Sequence, residues 1–321
     1  MTSLNVRPED SEKTIVCDTI TLSEWVTGRS HSYPESNQVV AHRGINVTLP
    51  LQVSAEYTIQ TKLASGTFGS VFYGEKKSTS RPVAIKIVEA SMAKTVLYNG
   101  KKTPKEAALL QKIPLHPNII NLIDWAEAYP KHWVFIFEYH GYGQDKPKST
   151  LRHYLRDIAR SRGQGLTENE ARNIMRQLLA ACSHLEKHGV YHGDLKLGNV
   201  VINPEGNIKL IDFGLAVEVE RGLGRTGSIF PPEMYDYCIP YELSTAQIWV
   251  LGAVFYQLFE ATNPFHEERI KSKALGPVMF NRYNRPSNEC VELIDWMLKV
   301  EPNHRPQSVN RVISHGWFGC V

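Results

Sequence analysis

The chain has 321 residues and a mass of 36.4 kDa, more than one ordinary small domain needs, and its 42% apolar and 21% charged side chains exclude collagenous, coiled-coil and wholly disordered classes. Lys and Arg number 36 against 33 Asp and Glu, and the resulting +3 is too mild to make nucleic acid or an anionic membrane the main partner. The five cysteines, at 17, 182, 238, 290 and 320, form no Cys-x-x-Cys pair and fit reduced thiols. No basic-then-apolar leader follows Met1, and the most apolar stretch, Trp249 to Phe259, is shorter than the roughly 20 residues of a spanning helix. An intracellular protein, cytoplasmic or nuclear, is the expectation.

Residues 1–56 carry 7 acidic and 4 basic side chains and 13 Ser or Thr without an apolar period, so a loosely ordered extension is expected. Its Ile15, Trp25 and Val39-Val40 are the apolar points able to dock on the rest. Three strand patterns follow, Tyr57-Thr58-Ile59, Ser70-Val71-Phe72-Tyr73 and Val83-Ala84-Ile85-Lys86-Ile87, with a Gly-bearing turn between the first two. A short helix over Thr103 to Ile113 and an apolar strand over Trp133 to Glu138 come next. Thr167 and Glu170 make a capping box, and Ile174, Leu178 and Leu185 recur at helical spacing behind it. Helices also fit 246–260 and 290–299. The outcome is an α+β chain: a small strand-rich lobe with one helix, then a larger, mainly helical lobe, joined near Glu138 to Gly143.

Four elements carry chemistry when taken together. The turn Leu63-Ala64-Ser65-Gly66-Thr67-Phe68-Gly69-Ser70-Val71 would let backbone N–H groups approach phosphate oxygens, although a Gly-bearing hairpin alone is usually only a hairpin. Lys86 lies inside an apolar strand, where an ammonium needs an anionic partner or a route to water. Glu106 on the following helix is one such partner, or an ordinary exposed helical Glu. The last element is Tyr191-His192-Gly193-Asp194-Leu195-Lys196-Leu197-Gly198-Asn199, followed after a hairpin by Leu210-Ile211-Asp212-Phe213-Gly214. Two carboxylates and a carboxamide on loops flanking one hairpin converge. One Asp can then accept a hydroxyl proton while Asn199 and the second Asp hold Mg²⁺ against phosphates.

With those motifs in that order, the chain resembles eukaryotic protein kinases of the serine/threonine type across about 57–318, and within them the Pim-type kinases. The Pim likeness rests on Tyr98-Asn99-Gly100 leading to Thr103-Pro104-Lys105-Glu106, on Leu122-Ile123-Asp124-Trp125, on Pro231-Pro232-Glu233, and on Ala246-Gln247-Ile248-Trp249. The resemblance implies a two-lobed kinase fold, with a first lobe of 57–138, a hinge of 138–143 and a second lobe of 144–318. ATP, Mg²⁺ and protein substrates with Ser or Thr acceptors are the implied cofactors and partners. It implies that Leu63, Ala64, Gly66, Thr67, Phe68, Gly69, Val71, Ala84 and Val201 surround the nucleotide, that Lys86 contacts its phosphates, and that Glu106 pairs with Lys86. Backbone groups of Glu138 and His140 would meet the adenine beside a bulky Phe137. Asp194 would be the catalytic base, Lys196 would neutralise the transferred group, Thr226 would touch both, Asn199 and Asp212 would bind the metal, and Glu233 would pair with Arg305.

Three departures stand out. Ala64 replaces the usual first glycine, and Gly193 stands where an Arg normally clamps a phosphorylated activation segment, so activity independent of that phosphorylation is expected. Gln247 replaces an Asp that accepts catalytic-loop N–H groups; its carboxamide oxygen is expected to accept one or two such bonds, or to be simply solvated. Together they leave a weakly active or inactive binding scaffold as the alternative function. Leu197-Gly198 carry no acid where Pim-type kinases attract arginine-rich substrates, and that specificity is not expected here.

Overall fold

A computed structural model describes residues 39–42, 45–66, 69–143, 149–218, 221–222, 229–236, 240–281 and 285–319. An antiparallel pair, β1 (Val39–His42) with β2 (Ile45–Thr48), leads into the short helix α1 (Leu51–Glu56). Val47, Leu49 and Val53 are buried against Tyr57, Phe72, Ile85 and Ile136, and Thr48 exchanges two backbone hydrogen bonds with Tyr129. The stretch just before Tyr57 thus belongs to the core, although its net composition suggested a loose extension. Ile15 and Trp25 lie outside the described residues.

Five strands then form one antiparallel sheet in the order β3-β4-β5-β9-β8: β3 (Tyr57–Gly66), β4 (Gly69–Lys76), β5 (Arg81–Glu89), and, after the insertion described next, β8 (Leu122–Ala128) and β9 (His132–Glu138). Between β5 and β8 come a hairpin, β6 (Thr95–Tyr98) with β7 (Lys101–Pro104), and the helix α2 (Lys105–Lys112). The hairpin turns on Asn99-Gly100, both at positive φ, as a two-residue primed turn requires. Strand periodicity divides the sheet's two faces. Val83, Ile85 and Ile87 of β5 and Val134 and Ile136 of β9 join the outer cluster with Val47 and Leu49. Val88, Trp133, Phe135 and Phe137 point the other way, toward α2 and the second lobe, and the same alternation turns Lys86 to that inner face.

The second lobe is helical. Helix α3 (Leu151–Arg162) precedes α4 (Glu168–Lys187), which begins with the expected capping box: Thr167 Oγ1 accepts from Glu170 N–H, and the Glu170 carboxylate accepts from Thr167 N–H. A two-stranded hairpin, β10 (Val200–Ile202) with β11 (Ile208–Leu210), follows. A two-residue pairing, β12 (Arg221–Gly222) with β13 (Tyr241–Glu242), leads into α5 (Leu243–Glu260). Helix α5 is buried on nearly every side and is the centre on which α4 and α7 pack. Helices α6 (Glu267–Lys271), α7 (Asn288–Met297), α8 (Val309–Ile313) and α9 (Gly316–Gly319) complete the lobe. No helix among the described residues is long and apolar enough to cross a membrane.

The packing before Tyr57 is testable. Leu49 is 1% exposed, so Leu49→Ala is expected to destabilise the protein by about 3 kcal/mol in denaturant unfolding. A loss below about 0.5 kcal/mol would show that this stretch lies on the domain without supporting it.

Candidate active site

Lys86 meets two carboxylates from different elements. Its Nζ lies 3.1 and 2.8 Å from Glu106 Oε1 and Oε2 on α2, and 2.8 Å from Asp212 Oδ1 on the loop after β11. Phe213 N–H donates to Glu106 Oε1 at 3.2 Å, which ties the same carboxylate to the second lobe. The pair is buried, with 13% of the Lys86 side chain and 7% of the Glu106 side chain exposed. Burial lowers the Lys86 pKa, but Glu106 and Asp212 more than reverse that and hold it above the usual lysine range. Burial likewise opposes the Asp212 charge, and Lys86, by attraction and hydrogen bond, wins and holds the carboxyl below its ordinary value. Asp212 itself adopts the left-handed conformation at φ 67°.

The second group sits on the loop before β10. Asp194 is buried, and its Oδ2 lies 2.5 Å from Lys196 Nζ and 3.0 Å from Asn199 Nδ2, while its backbone oxygen accepts from Asn199 Nδ2 at 2.8 Å. His192 is fully buried, and that burial holds its pKa below the ordinary imidazole value. The neutral ring then has one donor and one acceptor: Nε2–H points to Ile211 O at 2.9 Å and Nδ1 accepts Asp194 N–H at 3.3 Å. His192 also packs edge-on against Phe213, so it orients both loops. Asn199 Oδ1 and Asp212 Oδ2 accept no hydrogen bond among the described residues. They are hard oxygen donors of the kind that bind Mg²⁺ together with phosphates, and the residues present fit that ion.

Gly193 has φ +75°, and a Cβ there would lie 2.2 Å from Leu215 O. The main chain therefore runs where an arginine side chain would have to begin. Two further bonds zip the same loops, Tyr191 N–H to Val217 O and Val217 N–H to Tyr191 O, both 2.9 Å. Farther out, Arg305 makes a bidentate pair with Glu233, 2.7 Å on each arm, and donates also to Thr245 O, Val300 O and Lys299 O. All its donors are used, as a side chain with 0% exposure requires.

Gln247 differs from the sequence expectation. It is buried, yet neither polar atom of its side chain has a hydrogen-bond partner among the described residues. It borders a cavity of about 40 Å³ lined also by Tyr191, Gly193, Asp194, Met234 and Tyr241. The carboxamide thus neither accepts the catalytic-loop N–H groups nor reaches solvent.

Between the lobes, Leu63, Val71, Ala84 and Val201 are half-buried apolar groups, and Ala64 pairs with Val71 as Gly66 pairs with Gly69. Phe137 lies opposite Ala84 in the sheet and stacks on Phe135. The connection between lobes is pinned by side chains: Glu138 Oε1 accepts from Asn121 N–H at 2.8 Å and pairs with Lys209 at 2.9 Å, and His140 Nε2 bonds Asn207 O at 2.8 Å. Thr67, Phe68 and Thr226 lie outside the described residues. The sequence reading missed His192 as the link between the two loops; its signal was a histidine flanked by apolar Tyr191 and a glycine before the acid.

Comparison with known proteins agrees with this arrangement. Residues 57–318 match the protein kinase domain family. The chain is 30% identical over 278 residues to serine/threonine-protein kinase pim-2 of Danio rerio, covering 82% of this chain and 84% of that protein. It is 29% identical over 277 residues to the hormonally up-regulated neu tumor-associated kinase homolog A of Xenopus laevis, and 26% identical over 287 residues to CBL-interacting protein kinase 25 of Oryza sativa subsp. japonica. It spans 38% and 53% of those two longer proteins. The chain belongs to the eukaryotic protein kinase family and is a protein kinase of the serine/threonine type.

Proposed function

We propose that this kinase transfers the γ-phosphoryl group of ATP to Ser or Thr hydroxyls of protein substrates without needing phosphate on its activation segment. The observation that carries the kinase reading is the Lys86–Glu106–Asp212 contact, which joins the sheet, α2 and the loop after β11 at one ammonium. In the proposed roles, the cleft of Leu63, Ala64, Val71, Ala84 and Val201 takes the adenosine, with Phe137 at its inner wall. Backbone groups of Glu138 and His140 meet the adenine, and the backbone around Gly66 and Gly69 covers the phosphates. Lys86 holds the phosphates and Glu106 holds Lys86. Asp194 accepts the proton of the acceptor hydroxyl, and Lys196, beside it, offsets charge on the transferred group. Asn199 and Asp212 hold Mg²⁺, which when bound neutralises and orients the phosphates. The domain limits that go with this reading are 57–318, with the residues just before Tyr57 buttressing the first lobe.

Independence from activation-segment phosphorylation is supported at Gly193. An arginine there would clamp a phosphate through charge-assisted bonds; here the loop is instead held to 215–217 by main-chain contact and the Tyr191–Val217 bonds. Those contacts carry no net charge, so adding or removing a phosphate changes them little.

Three measurements test the reading. Asp194→Asn is expected to lower transfer of labelled phosphate from ATP to peptide by about a thousandfold at unchanged folding; equal silence of wild type and variant, with nucleotide still bound, would favour the scaffold function instead. Phosphatase-treated enzyme is expected to keep its turnover within about twofold, because no charged clamp is lost; near-complete inactivation would overturn the proposed independence. Gln247→Leu removes two buried polar atoms that lack partners, and it is expected to leave stability unchanged or raise it by about 1 kcal/mol. A loss of more than about 2 kcal/mol would mean that Gln247 makes hydrogen bonds after all.

A further inference from the structure

Among the described residues, the start of α3 places unpaired positive charge at the mouth of the cleft. Ser149 O accepts Ile202 N–H at 2.9 Å and Leu151 is fully buried, so the first turn of α3 is anchored against β10 beside the Asp194 loop. Arg152, the next residue, is exposed and reaches over Gly198: its Nε lies 3.9 Å from where a Cβ on Gly198 would stand, and Lys196 Cε lies 3.9 Å from the same point. Lys196 Nζ is 2.5 Å from Asp194 Oδ2. Taken in series, these contacts keep the Arg152 guanidinium within roughly 12 Å of the Asp194 carboxylate, the span of three or four extended residues at about 3.3 Å each.

Arg152 has no carboxylate partner among the described residues, and neither does Arg156, one turn farther along the same exposed face. On the same helix Arg160 is paired with Asp157 and Arg162 with Glu170. The carboxylates of the cleft are already taken: Asp194 by Lys196, Asp212 by Lys86, and Glu138 by Lys209. Among the described residues, a positively charged peptide side chain would therefore find these carboxylates already paired and would face Arg152. A planar guanidinium with free donors matches a carboxylate or phosphate in a bidentate fork, and its place in the first turn of a 12-residue helix adds the positive end of the helix dipole.

We infer that Arg152, supported by Arg156, selects protein substrates bearing an acidic or phosphorylated residue within about four positions of the acceptor Ser or Thr. This rests on the kinase reading above and names its substrate class. Gly198 takes part by lacking a side chain. A Cβ there meets only ordinary contact distances to Arg152 and Lys196, so a glutamate at this position has room to begin and its carboxylate would compete with the substrate for the guanidinium.

The test uses single-serine peptides in which each position from four before to four after the acceptor is in turn Asp, phosphoserine, Arg or Ala, with kcat/KM measured for each. Wild type is expected to favour Asp over Ala by about 10-fold at one position, phosphoserine at least as much, and to disfavour Arg there. Arg152→Ala and Gly198→Glu are each expected to bring the Asp-to-Ala ratio at that position to near one, and Arg152→Glu to invert it in favour of Arg. A flat or Arg-preferring profile in wild type, or an acidic preference that survives Arg152→Ala, overturns the inference while leaving the kinase reading intact. Absence of transfer to every peptide overturns the kinase reading, and the inference with it.

Discussion

One buried cation organises the centre of this molecule. Lys86 on β5 is held by Glu106 from α2 and by Asp212 from the loop after β11, so a single ammonium joins the sheet, the helix of the first lobe and the second lobe. In a largely desolvated site each of the three charges is tolerable only because the others are present, and removing one partner of such a pair typically costs 3–5 kcal/mol. That constraint runs outward. It requires β5 to alternate strictly, so that Ile85 and Ile87 enter the outer cluster while Lys86 faces inward. It also requires α2 to lie close enough for Glu106 to accept the Phe213 N–H as well.

The second centre applies the same device to the opposite task. Asp194 is buried beside Lys196 and Asn199, whose N–H groups donate to its carboxylate. Two carboxylates, Asp194 and Asp212, therefore sit on neighbouring loops with a lysine each, an arrangement that blunts the repulsion two bare acids would feel. Between them His192 stays neutral because burial disfavours its charged form, and its single donor and single acceptor are both used on the backbone of the two loops. A charged imidazole there would need a second acceptor where Asp194 N–H already points. The neutral ring is a consequence of the packing.

How much of this was legible from the residues differs by physical cause. Lys86, Glu106, Asp194, Asn199 and Asp212 could be read as a set because an ammonium in an apolar strand and acids flanking a hairpin are chemically conspicuous, and their order is informative even where each alone is ambiguous. The capping box of Thr167 and Glu170 was legible because its chemistry is local. The packing of Val47, Leu49 and Val53 was hidden by the polarity of the segment around them, since burial of three spaced apolar side chains depends on a tertiary surface that no local period reveals. The β6–β7 hairpin had its signal in Asn99-Gly100, a primed-turn dipeptide between short β-capable runs. At Gly193 the sequence reports a missing arginine, but the positive φ and the approach of Leu215 O are properties of the folded loop. Gln247 illustrates the limit of position-by-position reasoning: a side chain capable of accepting a hydrogen bond is buried without one among the described residues.

Charge and shape are assigned to different places in this protein. Inside the cleft every carboxylate of the two centres has a lysine, and these pairs set geometry. At the base of the activation segment, where a charged clamp would make geometry depend on a modification, the loop is held by main-chain bonds and by a close approach that only glycine allows. At the mouth, Arg152 and Arg156 are exposed cations without a carboxylate partner among the described residues. Paired and buried charges respond weakly to salt, whereas exposed unpaired ones are screened over about a Debye length, near 8 Å at physiological ionic strength. Ionic strength should therefore act on recognition at the mouth much more than on assembly of the centre. On the proposed reading, catalytic geometry rests on the paired, buried charges and substrate selection on the exposed ones, so that the two are separable.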